Sequence, residues 1–104
     1  MRPAKSYRED LLRGLKRPKE AVAYLNAALE EGDKEGFLLA LRNVLDAQGG
    51  MTKFSRHAKL NRVSLYKMLS KSGNPELESL ISLLAALGVK FQVTVDPKSR
   101  QKAA

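Results

Sequence analysis

Apolar residues recur three or four positions apart along most of this chain, and a chain with that period must pack amphipathic helices against one another. The stripes fall at residues 7–15, 22–29, 37–45 and 77–87. Gly32 and Gly88 follow two of them and are suited to end helices, because glycine readily adopts the left-handed conformation at a helix C-terminus. The sequence therefore predicts an all-α fold, a small bundle of five to six helices.

Helix starts are marked by residues that favour the first turn. Pro18 suits the first helical position, where its missing N–H costs little. Side chains that accept hydrogen bonds from a first turn are suited to be N-caps. The predicted N-caps are Asp33, Thr52, Asn61 and Asn74, the last followed by Pro75 at the first helical position.

The last apolar run has a different period. Between residues 89 and 95 every second residue is apolar, which predicts one β-strand that ends before Pro97. A single strand needs a partner for its backbone groups, and the sequence offers no second strand. We expect it to pair with its copy in a two-fold-related subunit, giving a homodimer. The alternative is an edge strand lying against the helices with its backbone in water. We predict one domain over residues 1–95 and a polar flexible tail over residues 96–104.

Composition argues against several kinds of site. The 104-residue chain has no Cys and one His, His57, so it has no disulfide, no thiolate metal site and no Cys nucleophile. Phosphate-binding glycine loops and zinc-ligand spacings are missing as well. We expect a protein that is not an enzyme, with no catalytic residue, no cofactor and no metal. With no membrane-spanning run and no secretory signal, the sequence predicts a cytoplasmic protein without a membrane partner.

The net charge of +8 is unevenly distributed. Residues 51–75 contain no Asp or Glu, and their cations are Lys53, Arg56, Lys59, Arg62, Lys67 and Lys71. Residues 20–46 have the opposite balance, with acidic residues in excess. A basic stretch free of anions favours a surface that faces a polyanion, with nucleic acid first. The alternative is a solvated basic face.

Residues 51–70 match the twenty-residue pattern of a helix-turn-helix, in which apolar places lie where two helices face each other. Those places hold Phe54, Ala58, Leu60, Leu65 and Met68. The fifth place, where the helices cross, must be small and holds Ser55. The ninth place usually holds glycine because its backbone tends toward positive φ; here it holds Lys59, at a cost of about 1 kcal/mol. We interpret this stretch as a helix-turn-helix, the alternative being two packed helices that bind nothing.

A helix-turn-helix places its second helix in the major groove, with the N-terminal residues at the base edges. Arg62 suits a bidentate contact with guanine, and Asn61 suits adenine or a phosphate. Val63 and Tyr66 suit a thymine methyl group, and Tyr66 could instead bond a phosphate. The candidates for contacts with the DNA backbone are Thr52, Lys53, Ser64, Lys67 and Lys71.

Several short motifs are distinctive when taken together: YLN at 24–26 with ALEE at 28–31, FLLALRNV at 37–44, SLY at 64–66 with LS at 69–70, and GNP at 73–75 followed by Leu80 and ALG at 86–88. They resemble the addiction-module antidote proteins, the helix-turn-helix antitoxins of bacterial type II toxin–antitoxin pairs, related to Xre-type repressors. The resemblance covers residues 7–95. In this family Leu-Tyr lies in the recognition helix and Asn-Pro begins the next helix, which corresponds to Leu65-Tyr66 and Asn74-Pro75.

The resemblance implies a dimeric DNA-binding protein encoded beside a RelE/ParE-type toxin. Such an antitoxin neutralises the toxin by direct binding and represses their shared promoter. Because toxins of this type are usually basic, an acidic stretch outside the DNA-reading window is a candidate for toxin binding. That stretch comprises Glu30, Glu31, Asp33 and Glu35, and its alternative is a solvated turn. The alternative function for the whole chain is a protein-interaction or RNA-binding helical module without sequence-specific DNA binding.

Overall fold

The computed structural model describes residues 4–98, and the fold in this range is all-helical, as predicted. Its six helices are α1 (Ala4–Leu15), α2 (Pro18–Glu31), α3 (Lys34–Ala47), α4 (Met51–His57), α5 (Arg62–Met68) and α6 (Leu77–Ala86). Within the same range no helix is long and apolar enough to cross a membrane.

Helix α3 is the centre of the bundle. Its side chains Leu38, Leu41, Val44 and Leu45 are at most 2% exposed. Helices α1, α2 and α4 pack against it, and α6 packs against α4. The apolar stripe predicted for residues 37–45 is therefore the main core stripe.

A polar network ties α1 and α2 to the buried face of α3. The amide of Asn43 is 7% exposed and is bonded at both ends. Its Nδ2 donates to Tyr24 Oη at 2.9 Å, and its Oδ1 accepts from Arg8 Nη1 at 3.2 Å. Arg8 Nη2 also donates to the Asp46 carboxylate at 3.1 Å. Both ends of the Asn43 amide are thus satisfied, which removes the cost of burying it.

Several predicted helix ends are confirmed. Gly32 and Gly88 have φ of +72° and +80°, and each N–H bonds a carbonyl of the helix before it. Asp33 caps α3, because its Oδ1 accepts from the Glu35 N–H at 3.2 Å. Pro18 is the first residue of α2, where it was expected.

Two predicted helix starts are wrong. Helix α4 begins at Met51 after Gly50, so Thr52 lies inside the first turn and is not a cap. Burial of Met51, which is 5% exposed, draws the helix start two residues earlier than a Thr52 cap would place it. Helix α6 begins at Leu77 after Glu76, so Asn74 and Pro75 lie in the preceding loop.

The predicted C-terminal strand is also wrong for the described chain, since residues 89–96 form no strand. A strand is defined by its ladder of hydrogen bonds, and the helices offer it no such partner. The Val89 N–H instead closes the end of α6 by donating to Leu84 O at 3.0 Å. Beyond it, Val93 is 96% exposed and Val95 66%. Of the predicted tail 96–104, residues 99–104 lie outside the described residues.

Candidate nucleic-acid interface

Helices α4 and α5 form a compact unit joined by the four-residue turn 58–61. Among the five apolar places, Phe54, Ala58, Leu65 and Met68 are at most 9% exposed, and Leu60 is half-buried. Ser55, at the crossing, is 8% exposed, and its hydroxyl donates to Thr52 O at 2.9 Å. A larger side chain at this buried position would push the two helices apart.

The turn contains a residue in the left-handed conformation. Lys59 has φ of +56°, and it alone among the described non-glycine residues has a positive value. The Leu60 N–H then donates back to Ser55 O at 2.8 Å. The positive φ expected at the ninth place is therefore present, and it is held there without the usual glycine.

We expect Lys59→Gly to stabilise the fold relative to Lys59→Ala, by about 1 kcal/mol, because glycine has no Cβ to clash in the left-handed region. Both variants lose the same charge, so their difference reports the backbone alone. Thermal unfolding should place the melting temperature of the glycine variant several degrees higher, on the order of 4–8 °C. Equal melting temperatures would mean that the turn relaxes when Lys59 is replaced.

Asn61 caps α5, as predicted. Its Oδ1 accepts from the Val63 N–H at 2.8 Å and from the Ser64 N–H at 3.2 Å. Bidentate recognition of adenine requires both Oδ1 and Nδ2. Because Oδ1 is used in the cap, Asn61 can offer DNA only the N–H donors of its Nδ2.

The nine residues predicted to contact DNA are all exposed: Thr52, Lys53, Asn61, Arg62, Val63, Ser64, Tyr66, Lys67 and Lys71. Val63 is 64% exposed and Tyr66 36%. Five of the nine have side-chain contacts within the chain: Asn61 in its cap, Lys53, Lys71, and the pair Arg62 and Tyr66. Lys53 Nζ donates to Gln48 O at 3.0 Å, and Lys71 Nζ lies 4.0 Å from Glu35 Oε1.

Tyr66 has two of these contacts, because its ring is approached by two guanidinium groups. The Cζ of Arg62 lies 5.8 Å from the ring centroid, one helical turn away on α5. The Cζ of Arg42, on α3, lies 5.3 Å from the same centroid. Sequence reasoning missed Arg42, which stands inside the acidic stretch 20–46. No sequence spacing connects it with a residue 24 positions further along the chain.

An open cleft of about 670 Å³ lies between α5 and the loop that leads to α6. Ser64 and Lys67 line it from α5, and Asn74 lines it from the loop. In this loop Gly73 is buried against the end of α5, and its N–H closes a turn by donating to Ser70 O at 2.9 Å. A Cβ at Gly73 would come within 2.2 Å of Met68 O. Glycine is required here by close backbone approach.

The four acidic residues predicted to bind a toxin are all exposed, but two of them already have partners within the chain. Asp33 is the cap of α3, and Glu35 lies 4.0 Å from Lys71. Glu30 and Glu31, at the end of α2, have no such contact with the described residues. The described residues contain no group of three or more side chains that could hold a metal ion.

Comparison with known proteins supplies a family. A family model described as "Probable addiction module antidote protein" matches residues 7–95. The chain is also 36% identical over 84 residues to a protein of Haemophilus influenzae named "Uncharacterized protein". That match covers 81% of this chain and 86% of the relative. No solved structure matches the chain.

Proposed function

Because this chain belongs to the probable addiction module antidote protein family, we propose that it is an antitoxin that also represses its own operator. In this proposal α4 and α5 form a helix-turn-helix that binds operator DNA. A separate surface binds and neutralises a RelE/ParE-type toxin. The site of action is the cytoplasm, where both partners occur.

The observation that carries the DNA-binding proposal is the distribution of charge on α4, α5 and the loop after them. All six cations between residues 51 and 75 are exposed, and the same stretch has no acidic residue. The adjacent buried places hold the two helices together through apolar contacts. The charges therefore lie on the surface of the unit and the apolar residues in its interior, which leaves the cations accessible to phosphates.

On this geometry α5 is the helix that reads the major groove. Arg62, at its first position, would donate to O6 and N7 of guanine. Val63 and Tyr66 would contact thymine methyl groups. The polar and basic candidates at 52, 53, 64, 67 and 71 would bond phosphates and fix the register, and Asn61 would donate through Nδ2.

Fluorescence anisotropy tests this proposal, using DNA from upstream of the chain's own reading frame and a scrambled duplex of equal length. We expect saturable binding to the upstream DNA and weaker binding to the scrambled duplex. Affinity for both should fall steeply with added salt, because phosphate contacts release counterions. Equal binding to both duplexes, or tighter binding to RNA of the same sequence, would contradict sequence-specific repression. Either result would favour an interaction module.

A chain of this size covers one half of a two-fold operator, so the proposal includes a homodimer. Its support is the apolar face of residues 89–95, where Val93 and Val95 are largely exposed. Beside it, an open groove of about 660 Å³ is lined by Leu25 and Leu29 of α2 and by Leu84 of α6. A second copy would cover the exposed apolar side chains of this region, Leu29, Val93 and Val95.

We expect Val93→Asp to weaken the dimer by at least about tenfold, because it places a charge in a proposed apolar interface. Val93 is 96% exposed in the single chain, so the fold should be unaffected. Sedimentation equilibrium measures the dimer constant, with Gln92→Asp as the control that adds the same charge to the neighbouring polar position. An unchanged constant for Val93→Asp would place the dimer interface elsewhere, or show that the chain is a monomer.

For the toxin surface, we propose Glu30, Glu31, Asp33 and Glu35, with most of the electrostatic contribution from the first two. Glu30 and Glu31 are exposed and neighbour each other at the C-terminal end of α2. Asp33 and Glu35 already have partners within the chain, so their replacement would also disturb α3 or the Lys71 contact.

The double variant Glu30→Lys, Glu31→Lys should bind the toxin about tenfold more weakly or worse, because like charges would face each other across the interface. Isothermal titration against the RelE/ParE-type protein encoded beside this chain measures the effect. Glu9→Lys, an exposed reversal on α1, is the control and should bind normally. Wild-type affinity in the double variant would rule out this surface.

A further inference from the structure

The backbones of α3 and α5 do not approach each other closely, so only side chains bridge the two helices. In the described chain no Cα atom of α3 lies within 8 Å of a Cα atom of α5. Apart from the shared apolar core, the two helices are joined by the Arg42 guanidinium, which lies 5.3 Å from the centroid of the Tyr66 ring. Arg42 is half-buried, whereas Tyr66 is exposed on the surface assigned to DNA.

The position of Arg42 restricts its reach. Its neighbours Leu41 and Asn43 are buried in the core, so the backbone at Arg42 is fixed. A fixed backbone anchors the Arg42 side chain in α3, and from there the side chain extends to the exposed ring. The ion pairs found among the described residues involve Arg8, Arg13, Arg17 and Lys71, and Arg42 takes part in none of them.

The Tyr66 ring has a second charged neighbour, on its own helix. Arg62 lies 5.8 Å from the same ring centroid, so one aromatic ring has two guanidinium neighbours. Each cation is attracted to the ring, while the two cations repel each other. An anion bound beside them would relieve that repulsion, and a DNA phosphate or an electronegative guanine edge supplies it.

We propose that Arg42 is a positioning residue of the DNA-binding surface, which acts on operator DNA through the Tyr66 ring. This inference rests on the function proposed above and names a residue outside the helix-turn-helix. By holding the ring from the side of α3, Arg42 fixes Tyr66 and limits the positions that Arg62 can adopt. Operator DNA then meets a surface that is already ordered, which lowers the cost of binding.

The test is a double-mutant cycle on operator affinity, with Arg42→Gln made in three backgrounds: wild type, Tyr66→Phe and Tyr66→Leu. In the wild type and in Tyr66→Phe, which keeps the ring, we expect Arg42→Gln to weaken binding about three- to fivefold. In Tyr66→Leu it should change affinity less than about twofold, because the ring it acts through is gone. Arg17→Gln removes the same charge from the turn between α1 and α2 and is the matched control.

Each other outcome overturns the proposal. A loss that persists in Tyr66→Leu would show that Arg42 contacts DNA directly. Unchanged affinity in all backgrounds would show no role. A loss that follows a fall in melting temperature, and disappears when affinity is scaled to the folded fraction, would show a purely structural role. If the wild type does not distinguish operator from scrambled DNA, the proposed function itself fails and the inference falls with it. If it does and Arg42→Gln has no effect, the inference alone fails.

Discussion

Arg62→Ala should lose most of the preference for operator over scrambled DNA, by about 1–3 kcal/mol or roughly five- to 150-fold. Arg62 is exposed at the first position of α5, and its guanidinium is the best bidentate donor on this helix. Binding to scrambled DNA should weaken far less, because that affinity comes from the summed phosphate contacts. The ratio of the two affinities, measured by anisotropy at fixed salt, is the quantity that should fall.

Arg56→Ala is the control for this prediction. Arg56 is exposed in the last turn of α4, within the same basic stretch, and is not among the proposed base contacts. Its loss should weaken binding to both duplexes by a similar factor and leave the ratio unchanged. If Arg62→Ala kept the wild-type ratio, base recognition by the start of α5 would be wrong, whatever the total affinity.

Gly73→Ala should lower the free energy of unfolding by about 2–4 kcal/mol. Its Cβ would lie 2.2 Å from Met68 O, 2.8 Å from Met68 C and 2.9 Å from Lys67 O. These are backbone atoms at the end of α5, so relief requires the loop or the helix end to move. Chemical denaturation should show a lower midpoint with an unchanged slope if the fold is otherwise kept.

Gly14→Ala is the matched control for that experiment. Its Cβ would meet Glu20 Oε2 at 2.6 Å, but this is the far end of a flexible, exposed side chain that can turn away. Alanine also favours the helix at this position in α1. We expect Gly14→Ala to be neutral or slightly stabilising. A similar loss in both variants would mean that the close approach at Gly73 is not the cause.

Local signals explain the parts of this fold that could be predicted from sequence. The core stripe of α3, the left-handed Gly32 and Gly88, and the Asn61 cap each depend on a few neighbouring residues. The positive φ at Lys59 was predictable for the same reason, because the turn between two crossed helices fixes it.

Predictions failed where distant packing decides the outcome. Burial of Met51 starts α4 before the polar residue that resembled a cap. The Asn74-Pro75 signal did not start α6, since the loop packs closely against the end of α5 at Gly73 and the helix begins only at Leu77. The predicted strand had the correct alternation, but no element within the described chain pairs with it.

The candidate site, too, has features that local sequence predicts and one that depends on distant packing. Exposure of eight of the nine residues predicted to contact DNA follows from the helical pattern of residues 51–70, because the buried places leave the others on the surface. The ninth, Lys71, lies beyond that pattern. The contact between Arg42 and Tyr66 does not follow from it. It depends on how α3 is oriented relative to α5, which no local pattern encodes.

The high exposure of α5 affects how the sequences of such proteins can diverge. Two of its seven residues, Leu65 and Met68, are buried, and the remaining five are exposed. Exposed substitutions away from caps and special contacts rarely change stability by more than about 0.5 kcal/mol. Most of this helix can therefore accumulate mutations without loss of the fold. Duplicated copies of the gene could therefore acquire different DNA specificities. Several such proteins could then act in one genome without binding one another's operators.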